Sequence, residues 1–160
     1  MLDDLYREIV LDHYKSPKNR GEVENPDIRA AGKNPLCGDE LELTVLLDDD
    51  TIKEIKFDGH GCSISQASAS MLTEQVKGKR LNEAVDLVEI VKGMFKGEVD
   101  VDFDELGDLE ALQGIRSYPV RIKCATLAWN ALQVGIDNHR GSPAIGETVA
   151  EPAVFTEQNV

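Results

Sequence analysis

Apolar residues return at helical spacing in the first stretch of the chain. Leu5, Ile9 and Val10, with Tyr6 and His13 beside them, predict a helix over residues 3–14. Pro17 closes it, because proline disfavours helix at the residue before it. A loop follows, and then a short strand near 28–31. Leu41, Leu43, Val45 and Leu47 alternate with Glu40, Glu42, Thr44 and Leu46, the pattern of a half-buried strand. Asp48-Asp49-Asp50 reads as a turn, and Ile52, Ile55 and Phe57 mark a second strand that pairs with the first as a hairpin.

The glycine-rich connection Asp58-Gly59-His60-Gly61-Cys62 leads into a helix that runs to about Val76 and is closed by Gly78. Its small residues Ala67, Ser68, Ala69 and Ser70 allow close packing on a sheet. Leu81 and Asn82 read as staple and N-cap of another helix, with Leu87, Ile90, Val91 and Met94 on its buried face. The acidic stretch 97–114 has room for one short helix. A last helix is expected over 120–134, with Ile122, Leu127, Trp129 and Leu132 on its apolar side. From Gly141 the periodicity disappears. Strands followed by helices make an α+β fold, a small antiparallel sheet with helices packed on one face. Residues 1–136 form the domain and 137–160 a loosely ordered tail.

Composition narrows the function. A chain of 160 residues with 41% hydrophobic content suits one domain with a core of its own. Seventeen Lys and Arg against 30 Asp and Glu leave a net charge of −13. That field repels phosphate backbones and anionic membrane surfaces, so neither nucleic acid nor membrane is expected as a partner, and a basic patch on another protein is. No apolar run approaches the roughly 20 residues of a membrane helix. The first residues are charged throughout and lack the apolar centre of a signal peptide, so the expected location is cytoplasmic. In that reducing compartment the three cysteines are expected as free or metal-bound thiols.

All three cysteines fall at expected element boundaries. Cys37 stands before a strand with Asp39 one glycine beyond, and Cys62 and Cys124 stand near helix starts, where the helix dipole favours thiolate. If tertiary folding brings them together, Cys37, Asp39, Cys62 and Cys124 form a tetrahedral set of three sulfurs and one oxygen. Zinc accepts such a set, and a two-iron cluster is the rival occupant. Spacing alone leaves open that these are three unrelated buried cysteines. Other candidates are weaker. His60 sits in a glycine turn, His13 on the surface or at the core edge, and His139 near the tail. Asp100, Asp102 and Asp104 imitate a calcium loop, but Glu105 and Ala111 occupy the places where that loop needs glycine and glutamate.

The segments "NPLCGDELELTV", "FDGHGCSISQASASMLTE" and "RIKCATLAWNAL", with the opening "LYREIVLDHYKSPKNRGEVENPD", together resemble the IscU/NifU N-terminal family of iron–sulfur cluster assembly proteins. The similarity covers about residues 2–135, with three cysteine motifs in the family's order. Lys123 stands where IscU scaffolds carry histidine, and the segment between Cys62 and Cys124 is long. Both features are similar to the SufU branch. The resemblance implies one zinc ion on Cys37, Asp39, Cys62 and Cys124, with an iron–sulfur cluster as the alternative. It implies Cys37 as acceptor of persulfide sulfur, and Arg121 falls on the family's functional arginine. The implied partners are a SufS-type cysteine desulfurase and downstream iron–sulfur assembly proteins. The implied activity is zinc-dependent sulfur transfer, and the alternative is a scaffold that assembles and delivers a cluster.

Overall fold

The structure is a computed structural model and describes residues 2–98, 106–141 and 152–157. Helix α1 spans Leu2–Lys15. Strands β1 (Ile28–Asn34), β2 (Asp39–Asp48) and β3 (Thr51–His60) follow, then helices α2 (Ser63–Val76) and α3 (Leu81–Lys96). A 3₁₀ segment, Gly107–Ser117, leads into helix α4 (Pro119–Gly141), and β4 (Ala153–Thr156) comes last. The sheet order is β3-β2-β1-β4. β2 and β3 pair antiparallel as the expected hairpin, β1 also pairs antiparallel with β2, and β4 lies parallel to β1.

Leu41, Leu43 and Val45 of β2 lie on one buried face with Ile28 and Ala30 of β1 and Ile55 and Phe57 of β3. Ile52 joins that face although it is three residues from Ile55. A register shift at Leu46/Leu47 absorbs the extra residue. The helices cover this face. On α2, Ala67, Ser68, Ala69 and Ser70 are all buried, and α2 packs on α1 and α4 more than on the sheet expected as the stripe's partner. Ser68 Oγ donates to the Ala125 carbonyl at 2.6 Å and accepts the Trp129 indole N–H at 3.0 Å, joining α2 to α4. Gly59 has φ 137°, and a Cβ there would run into the Glu40 backbone carbonyl. The glycine-rich connection is therefore a requirement of the β2–β3 approach.

Several expectations change. α4 continues through the expected boundary at 136 to Gly141, and residues 153–156 of the expected loose tail add a strand to β1. The N-cap of α3 is Arg80, not Asn82; its backbone N–H donates to Glu83. Of the two places expected for His13, surface or core edge, the surface is excluded, for the residue is buried. The would-be calcium-loop aspartates lie outside the described residues, and residues 107–114 of the acidic segment lie in the 3₁₀ helix. No helix among the described residues is long and apolar enough to cross a membrane.

Candidate metal centre

Cys37 lies in the turn between β1 and β2 and is partly exposed. Gly38, with φ 71°, turns the chain there, so Cys37 and Asp39 are presented from a bend and from the first position of a strand. Asp39 is buried at the strand mouth, and one of its oxygens, Oδ1, accepts the Cys62 backbone N–H at 2.8 Å. Cys62 is the N-cap of α2, its sulfur accepting the Ser65 N–H at 3.4 Å. Gly61 closes the cluster, for a Cβ at this position, φ 158°, would strike the Asp39 carboxylate and the Ser65 hydroxyl.

Cys124 approaches from α4. It is fully buried and lies in the second turn. The expected help from the helix N-terminus therefore falls on Cys62 and not on Cys124, because the dipole effect fades beyond the first turn.

Three of the four side chains meet, and Cys62 stands beside them. Cys37 and Cys124 stand Sγ to Sγ at 3.6 Å and are not bonded. Ligand atoms of Cys37, Asp39 and Cys124 all lie within 4.8 Å of one another. Cys62 adjoins through Asp39 Oδ2, 3.9 Å from its sulfur, and it and Cys124 perturb each other's ionisation. Two thiolates on one tetrahedral zinc, each about 2.3 Å from the ion, stand about 3.7 Å apart. The Cys37–Cys124 separation fits that value, and the donor set suits a borderline-soft divalent ion.

Without a metal the two thiols Cys62 and Cys124 are pushed apart in pKa. The hydrogen bond from Cys124 lowers the Cys62 pKa to about 6, burial opposes the shift, and the Ser65 N–H reinforces it. The same bond, with burial and the Cys62 charge, pushes the Cys124 pKa far up. In metal-free protein at pH 7 Cys62 is thus the thiolate and Cys124 the thiol. Iodoacetamide should label Cys62 before Cys124, and the rate at Cys62 should fall as pH drops through about 6. Peptide mapping checks this; equal early labelling of Cys124 would contradict it.

Arg121 is exposed one turn before Cys124 and makes no ion pair among the described residues. Lys123 lies 3.9 Å from Glu157, just beyond β4. Leu36, Tyr118 and Val120, adjoining Cys37 and the start of α4 in the chain, are 58%, 61% and 50% exposed.

Sequence reasoning passed over two features. Ser65 is the donor that Cys62 needs as a cap, and its place three residues on was the readable signal. His13 forms a second cluster. Its Nδ1 bonds Ser70 Oγ at 2.7 Å, and its Nε2 lies 2.8 Å from Asp108 and 3.5 Å from Glu74. These contacts latch α1 to α2 and to the 3₁₀ segment. Nothing local to His13 foretells partners so distant in the chain.

Known proteins resemble the chain along most of its length. The family model described as NifU-like N terminal domain matches residues 5–125. A zinc-dependent sulfurtransferase SufU of Bacillus subtilis is 49% identical over 140 residues, covering 88% of this chain and 95% of the relative. An iron–sulfur cluster assembly scaffold protein IscU of Streptococcus pyogenes is 44% identical over 135 residues, covering 84% of each. A solved structure from Fervidobacterium islandicum, proposed as an iron–sulfur cluster assembly scaffold for the SUF system, superposes with a TM-score of 0.76. It is 38% identical and covers 81% of this chain and 94% of its own.

Proposed function

The chain belongs to the NifU-like N-terminal domain family, and from that premise we propose that it is a zinc-dependent sulfurtransferase of iron–sulfur cluster assembly. It takes persulfide sulfur from a SufS-type cysteine desulfurase in the cytoplasm. The observation that carries this reading is the gathering of the Cys37 and Cys124 thiols and the Asp39 carboxylate, with the Cys62 thiol beside Asp39. Its similarity to a protein named as a zinc-dependent sulfurtransferase supports the choice of zinc.

Cys37, Asp39, Cys62 and Cys124 would hold the ion. When bound, zinc keeps the thiols deprotonated at neutral pH. The rest of the chemistry belongs to this chain. Cys124 is fully buried, and the sulfur of Cys62 is tied to the Ser65 N–H. Cys37 sits on a turn and reaches solvent, so it is the thiol that meets a donor. Its thiolate attacks the terminal sulfur of the partner's cysteine persulfide. A sulfur–sulfur bond forms on Cys37, the donor's sulfur–sulfur bond breaks, and the partner's cysteine leaves as thiolate. Arg121, exposed on the helix that carries Cys124, steadies the anionic sulfur or a carboxylate of the partner. Leu36, Tyr118 and Val120 supply apolar contact area around that approach.

A second reading, a scaffold on which a cluster is built as cargo, follows from similarity to the protein named as IscU. Lys123 weighs against it. The residue beside Cys124 is an ammonium next to Glu157 rather than an imidazole able to ligate iron. Desulfurase turnover separates the readings. Catalytic amounts of the colourless, zinc-loaded protein should raise cysteine turnover by a SufS-type enzyme. A brown, iron- and sulfide-bearing protein that leaves turnover unchanged would favour the scaffold.

A further inference from the structure

Asn34 ends β1 and pairs directly with Asp39, which begins β2. Residues directly opposed in an antiparallel pair present their side chains to the same face, with Cβ atoms about 4.5–5.5 Å apart. Both residues are 1% exposed. Their hydrogen bonding differs sharply. The Asp39 carboxylate is held by the Cys62 N–H, whereas neither Oδ1 nor Nδ2 of Asn34 has a partner among the described residues. Buried polar groups in folded proteins are almost always bonded, and an exception marks an absent water or ion, or a functional group. The carboxamide of Asn34 is thus a buried donor and acceptor, unbonded among the described residues, on the residue opposed to Asp39.

We infer that Asn34 is a positioning residue of this centre. When Asp39 ligates a divalent cation, the Asn34 Nδ2–H hydrogen-bonds its carboxylate, directly or through one ordered water, and fixes its orientation. Ligating carboxylates are ordinarily bonded in this way by a neighbouring group. The Cys62 N–H supplies one such bond, and Asn34 is the further donor that the strand register places on the same face. Nothing in the sequence marks this role, because Asn34-Pro35 reads as a turn signal at the end of a strand. The inference rests on the cation-centre reading.

The test uses the full chain and the variant Asn34→Leu, which keeps the approximate shape and removes both unbonded polar atoms. Two readouts are expected to move in opposite senses. The thermal midpoint of the metal-free protein stays or rises, since no hydrogen bond of the metal-free fold is lost. Zinc affinity, measured by competition with a chromophoric chelator, falls about 10- to 100-fold, and the absorption bands of the cobalt-substituted protein shift. If Asn34→Leu does not fold, Asn34→Ser, which keeps a donor, should bind zinc more tightly than Asn34→Ala. A lower metal-free midpoint with unchanged zinc affinity would assign Asn34 a merely structural role and overturn the inference. Equal affinity and an equal cobalt spectrum, or equal binding by the Ser and Ala variants, would overturn it as well while leaving the centre standing. A wild-type protein that takes up no zinc would overturn the centre itself and this inference with it.

Discussion

Cys37→Ser protein, mixed with a SufS-type desulfurase and cysteine, is expected to accept no sulfur. The loss should be on the order of 10³-fold or more, because removing a nucleophile removes the reacting atom itself. A serine hydroxyl is scarcely ionised at neutral pH and does not replace a thiolate in sulfur exchange. The variant should still fold. Cys37 lies on a turn and is partly exposed, so oxygen for sulfur there creates no core cavity, and the metal-free stability should change by less than about 1 kcal/mol. Cys124→Ser is the instructive contrast. That side chain is fully buried on α4, so the change removes a proposed ligand and also places a hydroxyl in the core. Stability and sulfur acceptance are expected to fall together at Cys124 and to separate at Cys37. Sulfur loading is read by mass on alkylated protein, and stability by thermal unfolding.

Removing the metal should lower the unfolding midpoint without unfolding the protein. A ligand that binds only the folded state stabilises it by about 4 kcal/mol when present at about a thousand times its dissociation constant. For a chain of this size that amounts to a fall of roughly 10 °C on chelation. The fold should persist because its core does not depend on the thiols. Leu43, Ile55, Phe57, Leu72, Leu127 and Trp129 are fully buried in one apolar cluster that includes none of the cysteines. Small zinc-dependent folds lack such a core and unfold without their ion. Far-ultraviolet circular dichroism before and after chelation decides the matter; loss of the helical signal at 25 °C would contradict the prediction.

The parts of the fold carried by strong local patterns were legible. Leu41, Leu43 and Val45 alternate cleanly and lie buried. Ala67 to Ser70 are small because α2 packs close to α4, and Trp129 is a core residue at helical spacing. What escaped depends on distant partners. β4 has too few apolar residues to declare itself, and its strand state comes from pairing with β1. Arg80 caps α3 through its backbone, so the better capping side chain of Asn82 pointed to the wrong residue. The α4 apolar face continues past Val134 through Gly135 and Ile136, both buried, and Gly135 fits there because its missing Cβ leaves room for Ala30.

The candidate site was legible in part for the same reason. Cys37, Gly38 and Asp39 advertise themselves by proximity, but their convergence with Cys62 and Cys124 is tertiary. Only the sheet register and the depth of α4 bring them to one point, and the same register sets Asn34 opposite Asp39.

The central claim is that Cys37 accepts sulfur at a zinc centre. The most direct measurement is peptide mass spectrometry of the zinc-loaded wild-type protein after reaction with a SufS-type desulfurase and cysteine, with persulfides trapped by alkylation. The account predicts one added sulfur atom on the peptide that carries Cys37 and none on those that carry Cys62 and Cys124. Sulfur on Cys62 instead, or on no cysteine while the desulfurase turns over, would contradict it.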